Sequence, residues 1–208
     1  MSYEFGRNVL PSQRRPVAWY SPPVLFQAGR ELVSSLDFLR NSDRREAFDG
    51  PLNAIDFSGK HNGFDGFDFI ADTGDGGNAT FTVAQAATAR ELRLQGEAEP
   101  SIRPGLVVLG GDLSYPGASS FDYHHRMLEP FSLALPENEK TAWREVLAIP
   151  QNHDWFDSTT TFCRYFVDNC VYPTEFAGAM ARQDRTYFAA LLPHRWWAWS
   201  APSRRPRR

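Results

Sequence analysis

Three short apolar runs, each closing on a polar cluster, constrain the fold of this chain most. Residues 67–71 lead into Asp72-Thr73-Gly74, residues 106–109 into Gly111-Asp112-Leu113-Ser114-Tyr115, and residues 146–149 into Asn152-His153-Asp154. Short apolar runs bounded by turn residues read as buried strands. Residues 80–94 and 122–133, which lie between them, have helical composition. Strands alternating with helices predict an α/β fold on a parallel sheet. In open α/β sheets ligands bind at the carboxyl ends of the strands. Asp72, Asp112 and Asn152 recur at forty-residue intervals, about the length of a strand-helix-strand unit with its loops. The three clusters are therefore expected to meet at one edge of the sheet.

The flanks are less regular. Residues 1–20 are rich in proline and arginine and read as an extended arm. A helix follows, with Ser21 as N-cap, Pro22 at the first helical position, and a stripe of Leu25, Ala28, Leu32, Leu36 and Leu39 expected to pack on the domain. Residues 49–66 are dense in Gly, Asn and Asp and read as a loop. The division predicted is residues 1–64 as arm, helix and loop, 65–199 as the main domain, and 200–208 as a basic tail. Beyond the third cluster, a helix over 160–169 precedes two aromatic runs, 187–192 and 196–199, that read as strands.

With 208 residues and 42% hydrophobic side chains, the chain can bury a substantial core. A net charge of −3 argues against a surface devoted to nucleic acid. The cysteines, Cys163 and Cys170, stand seven apart on an expected helix, too far for easy disulfide geometry, and read as free thiols. No thiolate metal site is available, and nothing points to an oxidising compartment. No apolar run approaches bilayer length and no signal pattern opens the chain. A cytoplasmic protein without a membrane span is the expectation.

Each cluster supplies oxygen donors. The first sets Asp72 and Asp75 in a glycine-rich turn that lacks the lysine of a triphosphate-binding loop. Alone, it reads as a turn, or as a helix cap at Asp75 or Asn78, and only its company makes it a site. The second places Asp112 and Tyr115 after a buried strand, a hard donor pair suited to Fe(III), Mn(II) or Zn(II). In the third, the Asn152 amide oxygen can ligate a metal without adding charge, while His153, with Asp154 orienting it, can meet a phosphate oxygen or leaving group.

These three motifs resemble those of the calcineurin-like metallophosphoesterase superfamily over about residues 65–199. With Gly74 where that superfamily more often has histidine, and with Tyr115 in the second motif, the pattern is closest to the purple acid phosphatase branch. The resemblance implies a metallophosphoesterase-type α/β/β/α sandwich, of which this chain holds the N-terminal half behind an N-terminal helical extension. It implies hydrolysis of a phosphate-ester substrate by hydroxide held between two metal ions, Fe, Mn or Zn. By the same resemblance Asp72 and Tyr115 bind the first metal, Asp112 bridges both, and Asn152 binds the second. His153 is then the catalytic histidine and Asp154 its support.

Two departures qualify that reading. Gln151 stands where the third motif usually opens with glycine, so a positive φ there would be strained. The later histidine motif, Gly-His-x-His, is absent, and His61, His124, His125 and His194 read as solvated or structural. The expectation is a truncated phosphoesterase whose activity is impaired, with residues 200–208 a frame-shifted tail and residues 196–199 left without a partner sheet. The alternative is a non-catalytic binding protein that keeps part of the fold. A nucleotide-binding module on Gly74–Gly77 has the wrong glycine spacing.

Overall fold

Residues 106–109 and 144–148 are buried at every position, which a strand achieves only when both faces of its sheet are covered. The structure, a computed structural model, describes residues 15–41, 54–60, 64, 66–89, 91–92, 96, 99, 101–102, 104–135, 144–167, 175–176, 179–195 and 197–199. In chain order the elements begin with α1 (Pro22–Asn41), β1 (Ile55–Asp56), β2 (Asp68–Ile70), α2 (Gly77–Thr88), β3 (Glu91–Leu92), β4 (Ser101–Ile102) and β5 (Leu106–Leu109). A helical stretch follows, α3 (Ser120–Tyr123) running through a π turn (His124–Leu128) into α4 (Glu129–Ala134), and then β6 (Arg144–Ala148) and α5 (Thr160–Phe166). β7 (Glu175–Phe176), β8 (Ala179–Ala181), β9 (Ala189–Leu191), a 3-10 turn (Pro193–Arg195) and β10 (Trp197–Trp199) complete the series.

The main sheet has the order β2-β5-β6-β8-β7, parallel except for β7 at one edge. Side chains alternate across it, so each strand feeds two cores. Val107, Leu109, Val146 and Ala148 face helical residues such as Phe81, Phe131 and Phe162. Leu106, Val108 and Leu147 face Phe57, Phe188, Ala190 and Leu192. The second set belongs to a three-stranded sheet, β1-β9-β10, which covers the other face. Helices, five-stranded sheet and three-stranded sheet are thus stacked as layers.

Several expectations change. The aromatic run near residue 197 is not unpaired: β10 pairs antiparallel with β9, Trp197 opposite Leu191 and Trp199 opposite Ala189. Part of the expected loop over 49–66 is β1, parallel to β9, so that segment is continuous with the second sheet. The helix predicted over 80–94 starts earlier and stops at Thr88, because Ala89 turns extended (φ −60°, ψ 137°). Glu91 and Leu92 then pair with Ile102 and Ser101. The leucine stripe of α1 does not pack as predicted: Leu25 is 56% and Leu32 45% exposed. The face turned to the domain carries Glu31 and Ser35 instead, and a Cβ at Gly117 would meet Glu31 Oε2. The α5 helix ends at Phe166; Cys163 is a free thiol, while Cys170, His61 and the tail 200–208 lie outside the described residues. Among the described residues no helix is long and apolar enough to cross a membrane.

Two ionic anchors hold the end of the sheet opposite the clusters. Arg144 is almost fully buried and donates to the Pro104 and Ala87 carbonyls, at 2.8 and 3.0 Å, and to Asp68. It thereby ties the C-terminal end of α2 to β2 and to the entry of β5. Glu145, whose side chain is 6% exposed, accepts from Arg182 and Lys60. Burial alone would raise the Glu145 carboxyl, but the Arg182 and Lys60 hydrogen bonds outweigh it and hold the group below its usual range. A depressed carboxylate contributes stability that is present above its unfolded value, about 4.3, and lost as pH falls through the lower folded value. Denaturant unfolding between pH 7 and pH 3 should therefore show Glu145→Gln less stable than wild type near neutrality, with the gap closing below about pH 4. A gap that is constant with pH would count against this account.

Candidate active site

The strand-end clusters meet as their spacing predicts. β2 and β5 are adjacent and parallel, and their pairing continues past the strands: Gly110 N–H donates to Ile70 O at 2.7 Å, Asp72 N–H to Gly111 O at 3.0 Å, and Gly74 N–H to Asp112 O at 3.0 Å. Tyr115 N–H returns to Gly74 O at 3.0 Å, so the first two motifs are laced together by backbone. Asp72 (φ 56°) and Asp112 (φ 51°) both adopt the left-handed conformation. Aspartate tolerates it better than most side chains, but it remains a local cost that is concentrated at ligand sites.

Around Asp112 the side chains converge. Its Oδ2 accepts from the Tyr115 hydroxyl at 3.0 Å and its Oδ1 from the His153 backbone N–H at 3.1 Å. The Tyr115 and His153 rings stand edge to face, 4.5 Å between centroids, with Phe156 on the far side of the imidazole at 4.7 Å. The Tyr115 phenol is pushed well above its ordinary value, first by burial, then by the Asp112 hydrogen bond and the charges of Asp112, Asp72 and Asp75. Three carboxylates thus act on one phenol, an arrangement that a cation would relieve. Gly74 is required here: a Cβ would lie 2.7 Å from Asp112 O, 2.8 Å from Ser114 N and 2.8 Å from the Tyr115 ring. Tyr115 thus occupies the space a side chain at position 74 would use.

Asp154 does not support His153 as expected. Its carboxylate is fully buried and accepts from the backbone N–H groups of Asp112 (2.8 Å), Gln151 (2.9 Å) and Leu113 (3.3 Å) and from the Tyr123 hydroxyl. Burial pushes this carboxyl up, while the Tyr123 hydroxyl and the backbone donors pull it back. Burial and the Asp154 charge keep Tyr123 a protonated donor. The imidazole is oriented instead by the Pro116 carbonyl, 3.0 Å from Nδ1. A carbonyl only accepts, so Nδ1 carries a proton and Nε2 is the atom left to act.

Gln151 is not strained. Its backbone is not left-handed; its side chain donates to Gly110 O at 2.7 Å, and Gly111, at φ 92°, takes the unusual conformation beside it. Asn152 is exposed on the turn after β6, next to the His153 N–H that is tied to Asp112.

Sequence reasoning missed three participants. Trp19 lies in the arm, yet its indole Nε1 donates to Asp75 at 2.9 Å and its ring stands 5.3 Å from Tyr115 and 5.7 Å from His153. Arg126, on the π turn, donates to the carbonyls of Asp75 (3.0 Å) and Arg15 (3.3 Å), holding arm and first motif together. Tyr123 completes the Asp154 cluster. The arm's proline- and arginine-rich composition pointed to none of them.

The donors brought together are hard oxygens: Asp72 and Asp112 at adjacent strand ends, with the Tyr115 phenol on Asp112. This set fits a hard cation. No cluster of three or more His, Cys, Asp or Glu forms a metal site among the described residues. His125 faces Glu129 at 3.6 Å, and His194 sits on the 3-10 turn, away from the strand ends. Comparison with protein-family models, with curated proteins and with solved structures found no match.

Proposed function

We propose that the carboxyl end of the main sheet is a metal-dependent phosphate-ester site of the metallophosphoesterase kind. The observation that carries this reading is the pair of left-handed aspartates, Asp72 and Asp112, ending adjacent parallel strands, with the Tyr115 hydroxyl and the His153 backbone N–H both donating to Asp112. The stack of helices, five strands and three strands agrees with the α/β/β part of that family's sandwich. Asp72, Asp112 and Tyr115 would hold the first metal; Asp112 and the exposed Asn152 are the donors for a second. When bound, such ions neutralise phosphoryl oxygens and make water a nucleophile near neutral pH.

In hydrolysis, water forms a new P–O bond while the ester P–O bond breaks, and the leaving oxygen keeps that electron pair and takes a proton. His153, held through Nδ1 by Pro116, directs Nε2 at this chemistry: neutral, it accepts a proton; charged, it donates one. With only two carboxylates and a phenol on the first ion, binding is expected to be loose and turnover slow. A chain that binds one cation without turnover is the second reading, favoured by the sparse ligand set.

The test is reconstitution of the full chain with Fe(III), Mn(II) or Zn(II), with bound metal and hydrolysis of 4-nitrophenyl phosphate measured together. Ligation of Fe(III) by Tyr115 should give a visible charge-transfer band that disappears in Tyr115→Phe. Retained metal without hydrolysis selects the second reading, and no retained metal in any reconstitution overturns both.

A further inference from the structure

Beside Asp72 lies a cavity of about 330 Å³ between β2 and α2, with Phe69, Ile70 and Val83 among its walls and Asp72, Thr73 and Asp75 on its polar side. Its volume is at the lower end of small-molecule sites, enough for an aromatic ring and its substituents. Among the described residues β2 is an edge strand of the main sheet, and Phe69 is 59% and Val83 41% exposed, so the cavity opens to solvent. Thr73 adds a polar side chain to that wall. Its residue is 8% exposed, yet its buried hydroxyl has no hydrogen-bond partner among the described residues, although its carbonyl accepts from Thr80 Oγ1 at 2.7 Å. An unsatisfied buried hydroxyl costs about 1–3 kcal/mol, which a ligand's polar atom recovers.

We infer that this cavity is the subsite for the leaving group of the phosphate ester, and that it takes an uncharged aromatic alcohol whose ring lies between Phe69 and Val83 with one polar substituent on the Thr73 hydroxyl. Its position follows from continuity: Asp72 belongs both to the cavity wall and to the proposed metal ligands. Its chemistry follows from charge. Among the described residues the lining contains two aspartates and no lysine, arginine or histidine, so a phosphoryl group is repelled and the neutral part of the ester enters. Phe69 supplies a ring face and Val83 an aliphatic wall.

The inference rests on the phosphoesterase reading for its meaning but not for its detection. Titration of the metal-free full chain with 4-nitrophenol, at a mildly acidic pH where the phenol is un-ionised, followed by calorimetry or by ring-proton shifts, tests the cavity directly. Binding is expected in the millimolar range or tighter, weakened at least about tenfold in Val83→Trp, which fills the space, and several-fold in the near-isosteric Thr73→Val. Should Val83→Trp fail to fold, Thr73→Val still carries the test. In the metal-loaded chain, 4-nitrophenyl phosphate should have a KM at least about tenfold below that of methyl phosphate, and Val83→Trp should erase the difference while leaving methyl phosphate unchanged. Binding of the phenol without hydrolysis of either ester upholds the subsite and sinks the phosphoesterase reading. No phenol binding, or binding indifferent to both substitutions, overturns the subsite. Hydrolysis of both esters with equal KM overturns it as well.

Discussion

Asp154→Ala should cost about 3–5 kcal/mol of folding stability, the largest single effect expected from any residue of the three motifs. The carboxylate is fully buried and gathers backbone N–H groups from the turns after β5 and β6 together with the Tyr123 hydroxyl from α3. Alanine leaves four donors facing one another with neither water nor acceptor, each a buried desolvated group. Asp154→Asn should be intermediate, because its oxygen still accepts but its NH₂ meets donors. Urea unfolding of the two variants is the measurement. A loss below about 1 kcal/mol in the alanine variant would show that the turns rearrange and that Asp154 is not their common anchor.

The second large effect lies in metal affinity. Asp112→Asn should lower it at least about 100-fold while leaving the fold intact, given that even second-layer partners of metal ligands are worth about 10–100-fold. Asparagine suits the left-handed backbone at this position as well as aspartate does, so the φ of 51° is not a source of trouble. Its side-chain oxygen can still accept the His153 N–H, and its NH₂ can donate to the Tyr115 oxygen with the roles of that pair reversed. What is lost is the charge between Tyr115 and the cation. Equilibrium dialysis against Mn(II) or Zn(II), paired with thermal unfolding, separates affinity from stability. Unchanged affinity would remove Asp112 from the ligand set.

The parts of this architecture that could be read in the sequence share a physical cause. Leu106–Leu109 and residues 146–148 are covered on both faces, and burial on both faces writes itself as an unbroken apolar run, whereas Arg144 and Glu145, buried as ion pairs at the start of β6, do not show in that pattern. The parallel order of β2, β5 and β6, and the meeting of Asp72 with Asp112, follow from that pattern and from helical crossovers of the right length. Two-residue strands such as β1 and β3 carry no periodicity, so their pairing became visible only in three dimensions. The α1 stripe misled because periodicity shows that a helix has an apolar face without showing what covers it. There, the contact beside Gly117 brought Glu31 inward and left Leu25 and Leu32 exposed.

The site divided in the same way. Strand-end carboxylates could be found because topology dictates where strands end. Adjacency was a poorer guide: His153 and Asp154 are neighbours in the chain, but one ring nitrogen goes to Pro116 and the neighbouring carboxylate turns inward to Tyr123. Thr73 looked like a spacer between Asp72 and Gly74, and only its unsatisfied hydroxyl distinguishes it.

The position of Trp19 gives the protein an internal optical gauge. Its indole donates to Asp75 and is flanked by the Tyr115 and His153 rings, so a cation arriving at the carboxylates, or a proton arriving at the imidazole, changes the surroundings of this one chromophore. The difference in emission between wild type and Trp19→Phe isolates that signal from the other tryptophans. A single spectrum would then report whether the arm is still docked across the strand-end carboxylates.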